Sequence, residues 1–180
     1  MRQLIISLCL STLVVRAAIA AWPPPQAPAV PAADGYVVIP GVAVPPDPSR
    51  TYRVVWDATR GAEKPTQILP ALNMAGSELN AFEVTGVPAK NVKFVVVFHG
   101  DSMDGILDNE HYEAKYGAPN PNLPVLNQMK ALGVEFYVCG QNMAFANIEP
   151  QMISPLVQVA SDALIVLMTY ENKGYALLSF

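Results

Sequence analysis

The run Val92-Lys93-Phe94-Val95-Val96-Val97-Phe98 constrains this chain more than any other stretch. It is almost continuously apolar and β-branched, broken only by Lys93. A strand with one wet face alternates apolar and polar residues. A strand without such a face must be covered on both sides, as in a parallel sheet flanked by helices. His99-Gly100 ends the run.

The neighbouring segments fit that setting. Tyr52-Arg53-Val54-Val55-Trp56 reads as an earlier strand. Between the two, Leu72, Ala75, Leu79 and Phe82 recur at helical spacing and predict a helix over 69–84. Pro70 suits its first turn and Gly86 stands just past its end. Gly76 inside that helix costs about 1 kcal/mol relative to alanine, which points to close packing there. Residues 101–121 are polar and carry Gly105, Gly117, Pro119 and Pro121, so they read as a long connection with a functional or interface role.

Beyond it, Asn122 reads as an N-cap with Pro124 in the first turn. Val125, Leu126, Met129 and Leu132 form one helical stripe, closed by Gly133. Val134-Glu135-Phe136-Tyr137-Val138 is a third strand ending at Cys139-Gly140, followed by a short helix over 141–146. Leu156-Val157-Gln158-Val159 is a fourth strand, and Ser161 caps a helix running to about Asn172. The stretch Ala163 to Met168 is apolar on nearly every side and must be covered from more than one direction, by its own sheet or by another subunit. Tyr175 to Leu178 is a short final strand. Strands separated by helices imply a flavodoxin-like, doubly wound α/β fold: a mainly parallel five-stranded sheet with helices on both faces.

The N-terminal part has a different character. Arg2, the apolar Leu4–Val15 stretch and Ala18-Ile19-Ala20 predict a signal peptide over 1–20, too short to span a bilayer. The expected location is periplasmic or secreted, with no stable membrane insertion after cleavage. Residues 21–50 carry Pro23-Pro24-Pro25, Pro28, Pro31, Pro40, Pro45-Pro46 and Pro48 and read as a proline-rich arm. Tyr36-Val37-Val38-Ile39 is the part of the arm expected to pack. The globular domain then covers 51–180. Of two cysteines, Cys9 leaves with the signal peptide, so Cys139 is the single remaining thiol and no intramolecular disulfide forms. The formal net charge of −4 offers no basic field for phosphate backbones, so no nucleic-acid partner is expected.

In open α/β sheets, ligands bind beyond the carboxyl ends of the strands. His99 and Cys139 follow the second and third strands and so share that rim. Cys139 runs into Gly140-Gln141-Asn142, a helix start whose free amides favour a thiolate. A thiolate is the nucleophile in thiol exchange and persulfide formation. His99 is the candidate proton carrier, and Gly100, Gly140, Gln141 and Asn142 are candidate substrate-binding residues. A buried cysteine that only packs is the competing reading. His111 is a weaker candidate. Asp101, Asp104, Asp108, Glu110 and Glu113 do not follow calcium-loop spacing, and His99, His111 and Cys139 lack recognisable zinc spacing; no metal and no cofactor are expected. There is no G-x-G-x-x-G, phosphate loop or G-x-S-x-G in the sequence.

Val95-Val96-Val97-Phe98-His99-Gly100, then Asn120-Pro121-Asn122-Leu123, then Gly133 through Gln141, and finally Lys173-Gly174-Tyr175-Ala176 resemble the DsrE/DsrF-like family over about residues 52–180, and within it an exported branch. The resemblance implies a flavodoxin-like fold that assembles into trimers or hexamers. It also implies sulfur relay, in which a cysteine after the third strand, here Cys139, carries sulfane sulfur as a persulfide. The partners would be a sulfur donor or acceptor protein or a small sulfur compound. The activity would be that of a sulfur carrier or sulfurtransferase, with turnover left open. Export, the proline-rich arm and the long 101–121 segment separate this chain from cytoplasmic members that serve tRNA thiolation. The alternative is a non-catalytic oligomeric module that binds a small ligand or partner.

Overall fold

The computed structural model of the chain describes residues 22–180; the signal segment expected over 1–20, with Cys9, lies outside the described residues. Five strands form one sheet, all parallel: β1 (Tyr52–Ala58), β2 (Val92–Phe98), β3 (Glu135–Cys139), β4 (Gln158–Ala160) and β5 (Ala176–Ser179). Their order is β4-β3-β2-β1-β5. The chain steps outward from β1 to β4 and then returns to the far side of β1. Right-handed crossovers that run in opposite lateral directions put their helices on opposite faces. Accordingly, α1 (Pro70–Val84) and α3 (Asn122–Ala131) cover one face, while α5 (Ala163–Asn172) packs on β1, β2 and β3 from the other.

Strand parity divides the core in two. Trp56, Phe94, Val96, Phe98, Phe136 and Val138 point to the α1/α3 face, with Leu72, Ala75, Val125, Leu126 and Met129 against them. Val55, Val95, Val97 and Cys139 point to the other face, against Ala163, Leu167 and Tyr170 of α5. Every residue of β2 except Lys93 is buried, as a run without a polar face requires.

The 101–121 segment is not an open loop. A 3-10 stretch at Gly100–Ile106 and helix α2 (Asn109–Tyr116) fill it, anchored by buried Met103, Ile106, Leu107 and Tyr112. Asp108 caps α2 by accepting the His111 amide at 2.8 Å, and Gly117 ends it in the left-handed region at φ 69°. Two caps differ from the sequence expectation. Asn122 does not cap its own helix, because its side chain is buried and its Oδ1 accepts the Leu69 amide at the start of α1 at 2.8 Å. The α5 cap is Asp162, whose carboxylate accepts the Leu164 amide at 2.7 Å, rather than Ser161. The fourth strand begins two residues later than its apolar pattern, because Val157 is buried in the core and its amide closes a turn on Ser154 O.

The proline-rich arm lies on the domain through a segment different from the expected one. Val30 and Ala33 are buried on α1, whereas Val38 and Ile39 stay exposed. Asn80, fully buried in α1, serves the arm with its whole amide: Oδ1 accepts Ala29 N and Val30 N at 2.9 and 2.8 Å, and Nδ2 donates to Val30 O and Asp34 O, each at 3.1 Å. Gln128 of α3 accepts Ala32 N at 3.0 Å. The close packing that Gly76 implied is supplied by this arm.

Candidate functional site

The carboxyl ends of the parallel strands gather polar side chains on the α5 face. Val55 and Asp57 share a side of β1, Val95, Val97 and His99 share a side of the β2 line, and Tyr137 and Cys139 share a side of β3. Because Phe98 pairs with Val138, His99 and Cys139 occupy the next positions on neighbouring strands. Ser179 pairs with Asp57. The rim therefore carries Ser179, Asp57, His99 and Cys139 across four adjacent strands in the order β5, β1, β2, β3.

Contacts tie this row together. His99 Nε2 lies 2.6 Å from Asp57 Oδ1, and Ser179 Oγ donates to Asp57 Oδ2 at 3.0 Å. The His99 backbone is held at both ends: its amide donates to Ala58 O at 3.1 Å, and its carbonyl accepts Ser102 Oγ at 2.9 Å. Ser102 is buried, and its hydroxyl also reaches Ala58 O at 2.6 Å. The side chains of His99 and Asp57 retain 21% and 16% exposure, enough to touch solvent but partly shielded from it.

Cys139 is 4% exposed and precedes α4 (Gly140–Ala146), taking its N-cap position with extended backbone. Gly140 is needed there, because a Cβ would stand 2.5 Å from Ala160 O of β4. Of the other expected residues, Asn142 and Gly100 come together, the Gly100 amide donating to Asn142 Oδ1 at 2.9 Å. Gln141 instead reaches Ser161 O at 3.3 Å on the β4 side. His111 lies apart, on α2, its Nδ1 2.8 Å from Asp108 Oδ1. Among the acidic residues of that segment, Asp104 holds Lys115 and Tyr116, and Asp108 caps α2. Among the described residues, no group of three or more His, Cys, Asp or Glu side chains is placed to hold a metal ion.

Asp57 and Ser179 escaped the sequence reading, which ended the first strand at Trp56. Extending that strand by one residue and counting parity against Val97 and His99 would have put Asp57 on the same side of the rim.

At the opposite end of this face, Tyr137 and Tyr170 both donate to Glu135 Oε2, at 2.9 and 3.0 Å. Burial, with the bonds to Tyr137 and Glu135, pushes Tyr170 far above the usual phenol range. Outside the sheet, Leu164, Ile165 and Met168 of α5 are 59%, 53% and 55% exposed, and Phe145 of α4 is 84% exposed. Among the described residues, no helix is long and apolar enough to cross a membrane.

A family model described as the DsrE/DsrF-like family matches residues 59–180. Comparison with curated proteins gives no match. Among solved structures, the chain is similar to a protein of unknown function, MTH1491, from Methanobacterium thermoautotrophicum, with 16% identity and a TM-score of 0.50 over 72% of this chain and 99% of that one. It is also similar to the ychN protein from E. coli, with 11% identity and a TM-score of 0.45 over 72% of this chain and 100% of that one. At 16% identity the first likeness is one of fold.

Proposed function

This chain belongs to the DsrE/DsrF-like family, and from that premise we propose that it is an exported sulfur-handling protein which accepts sulfane sulfur on Cys139. The observation that carries the reading is the adjacency of His99 and Cys139 on one side of neighbouring strands at the carboxyl rim. In the proposed step, His99 takes the Cys139 proton and the thiolate attacks the outer sulfur of a persulfide or polysulfide donor. A new S–S bond forms at Cys139, the donor's S–S bond breaks, and the departing thiolate receives the proton. The sulfane sulfur changes carrier without any external oxidant or reductant. Gly100, Gly140, Gln141 and Asn142, at the loop ends that follow β2 and β3, are the proposed substrate-binding residues. The apolar segment before residue 20 supports export to the periplasm or beyond.

Exposure of mature protein to polysulfide should add sulfur mass to the chain, and Cys139→Ser should abolish the addition. Undiminished labelling of that variant removes Cys139 from the mechanism.

The same reading includes self-association as a trimer or hexamer. The exposed apolar side of α5 and Phe145 of α4 supply surface that water alone covers poorly. Sedimentation should give an oligomer, and Ile165→Glu with Met168→Glu should dissociate it.

A second reading has its own observation. Cys139 packs among Val55, Val95, Val97 and Leu167 with 4% exposure. In a non-catalytic oligomeric binding module that sulfur is simply core. A Cys139 that resists a small alkylating reagent in the native state, yet reacts on unfolding, selects this second reading.

A further inference from the structure

We infer that Asp57 is the positioning residue for His99: it fixes the imidazole proton on Nε2 and leaves Nδ1 as the nitrogen that exchanges protons at the rim. The argument starts from what each group can offer. An ionised carboxylate only accepts hydrogen bonds, so a 2.6 Å contact between Asp57 Oδ1 and His99 Nε2 requires the proton to sit on Nε2. Which imidazole nitrogen is free is set by the bond the other nitrogen makes. Among the described residues, no group forms a hydrogen bond with His99 Nδ1.

The carboxylate is itself held. Ser179 Oγ donates to its second oxygen at 3.0 Å, and Asp57 stands in the paired register between β5 and β2. Since the His99 backbone is pinned through Ala58 O and Ser102 Oγ, the ring has one hinge and one polar anchor. Partial burial of both partners strengthens that anchor relative to one in bulk water. The arrangement is an orienting carboxylate, an imidazole and a neighbouring thiol spread over three parallel strands. Its chemical consequence for Cys139 rests on the sulfur-handling reading, but the tautomer does not.

The test separates the two. Two-bond proton–nitrogen correlation spectra of the full mature chain, taken where the imidazoles are neutral, report the tautomer of each histidine. His99 should appear as Nε2–H. Asp57→Asn should convert it to Nδ1–H, because the carboxamide can donate to Nε2, while His111 stays unchanged as the internal reference. Asp57→Glu and Ser179→Ala, which keep a carboxylate, should retain Nε2–H. Alkylation of Cys139 in Asp57→Asn should slow about a hundredfold, the lower end of what a general base usually contributes. The inference is overturned by an Nδ1–H tautomer in the unaltered protein, by no change of tautomer in Asp57→Asn, or by an unaltered alkylation rate in a protein whose Cys139 does react. A tautomer switch in a protein whose Cys139 never reacts upholds the positioning role and discards sulfur handling instead.

Discussion

A Cβ on Gly76 would stand 2.5 Å from the Cβ of Ala33, so the arm occupies the space that any other residue of α1 would claim. In an isolated helix Gly76→Ala should stabilise by about 1 kcal/mol. Here the clash is between two groups fixed to backbone, and neither can rotate away. Overpacking of this kind costs about 1–3 kcal/mol and should outweigh the propensity gain. Gly76→Ala is therefore expected to lower the melting temperature, and Ala33→Gly added to it should restore much of the loss. Additivity of the two substitutions in a thermal double-mutant cycle is the result that contradicts the contact.

Asn80 anchors the arm with both its oxygen and its nitrogen. Asn80→Asp keeps the acceptor for Ala29 and Val30 but removes both donors, and it buries a charge. Asn80→Ala removes everything. Each orphaned buried group costs about 1–3 kcal/mol. For the two carbonyls orphaned in Asn80→Asp, a total of about 3 kcal/mol corresponds to a fall of roughly 6–12 °C in a domain of this size, and Asn80→Ala should fall further. Limited proteolysis should cut the arm of either variant at protease concentrations that leave the unaltered chain intact.

Gly140→Ala directs a methyl group at Ala160 O of β4, a backbone atom with no freedom to yield. The start of α4 must separate from the sheet edge, at about 1–3 kcal/mol. Cys139 lies one residue before that point, so its local opening becomes easier. Alkylation is expected to speed up about tenfold for every 1.4 kcal/mol removed from the opening free energy. A stable variant with unchanged thiol reactivity would show that access to Cys139 runs elsewhere.

Alkaline pH should unfold this protein through its tyrosines. Burial pushes Tyr112, Tyr116 and Tyr170 upward, aided by Asp104 for the first two and by Tyr137 and Glu135 for the third. Tyr137 is raised too: its bond with Tyr170 lowers it, but burial and Glu135 outweigh that. A group with a raised folded-state pKa binds its proton more tightly when folded. The associated stability is complete below pH 10, the ordinary tyrosine value, and drains away above it. Ultraviolet titration should show that Tyr112, Tyr116, Tyr137 and Tyr170 ionise only together with loss of structure. Tyr170→Phe should reduce the pH sensitivity of unfolding above that point.

Much of the sheet was readable because single residues decide it. The apolar run 92–98 coincides with β2, and Pro70 with Gly86 brackets α1 closely. Cys139 and His99 fell on one rim because parallel strands end on the same side. What stayed hidden depended on contacts across long sequence separations. Val30 and Ala33 are two apolar residues among prolines, without a period, and only Asn80 and Gly76 reveal that they are core. Met103, Ile106 and Tyr112 anchor the 101–121 segment, but its polar composition concealed them. Asn122 looked like a local cap because its residue type favours caps, yet its partner is Leu69 on another helix. Asp57 was missed for want of one residue of strand.

The arm's attachment also orders events in time. Ala32 reaches Gln128 across 96 positions of sequence, and Val30 reaches Asn80 across 50. The seat for residues 29–34 thus exists only once both crossover helices have settled onto the sheet. The stretch that leaves the ribosome ahead of the domain must wait for both of those helices before it can dock, and the same dependence makes it an early piece to detach when the fold loosens.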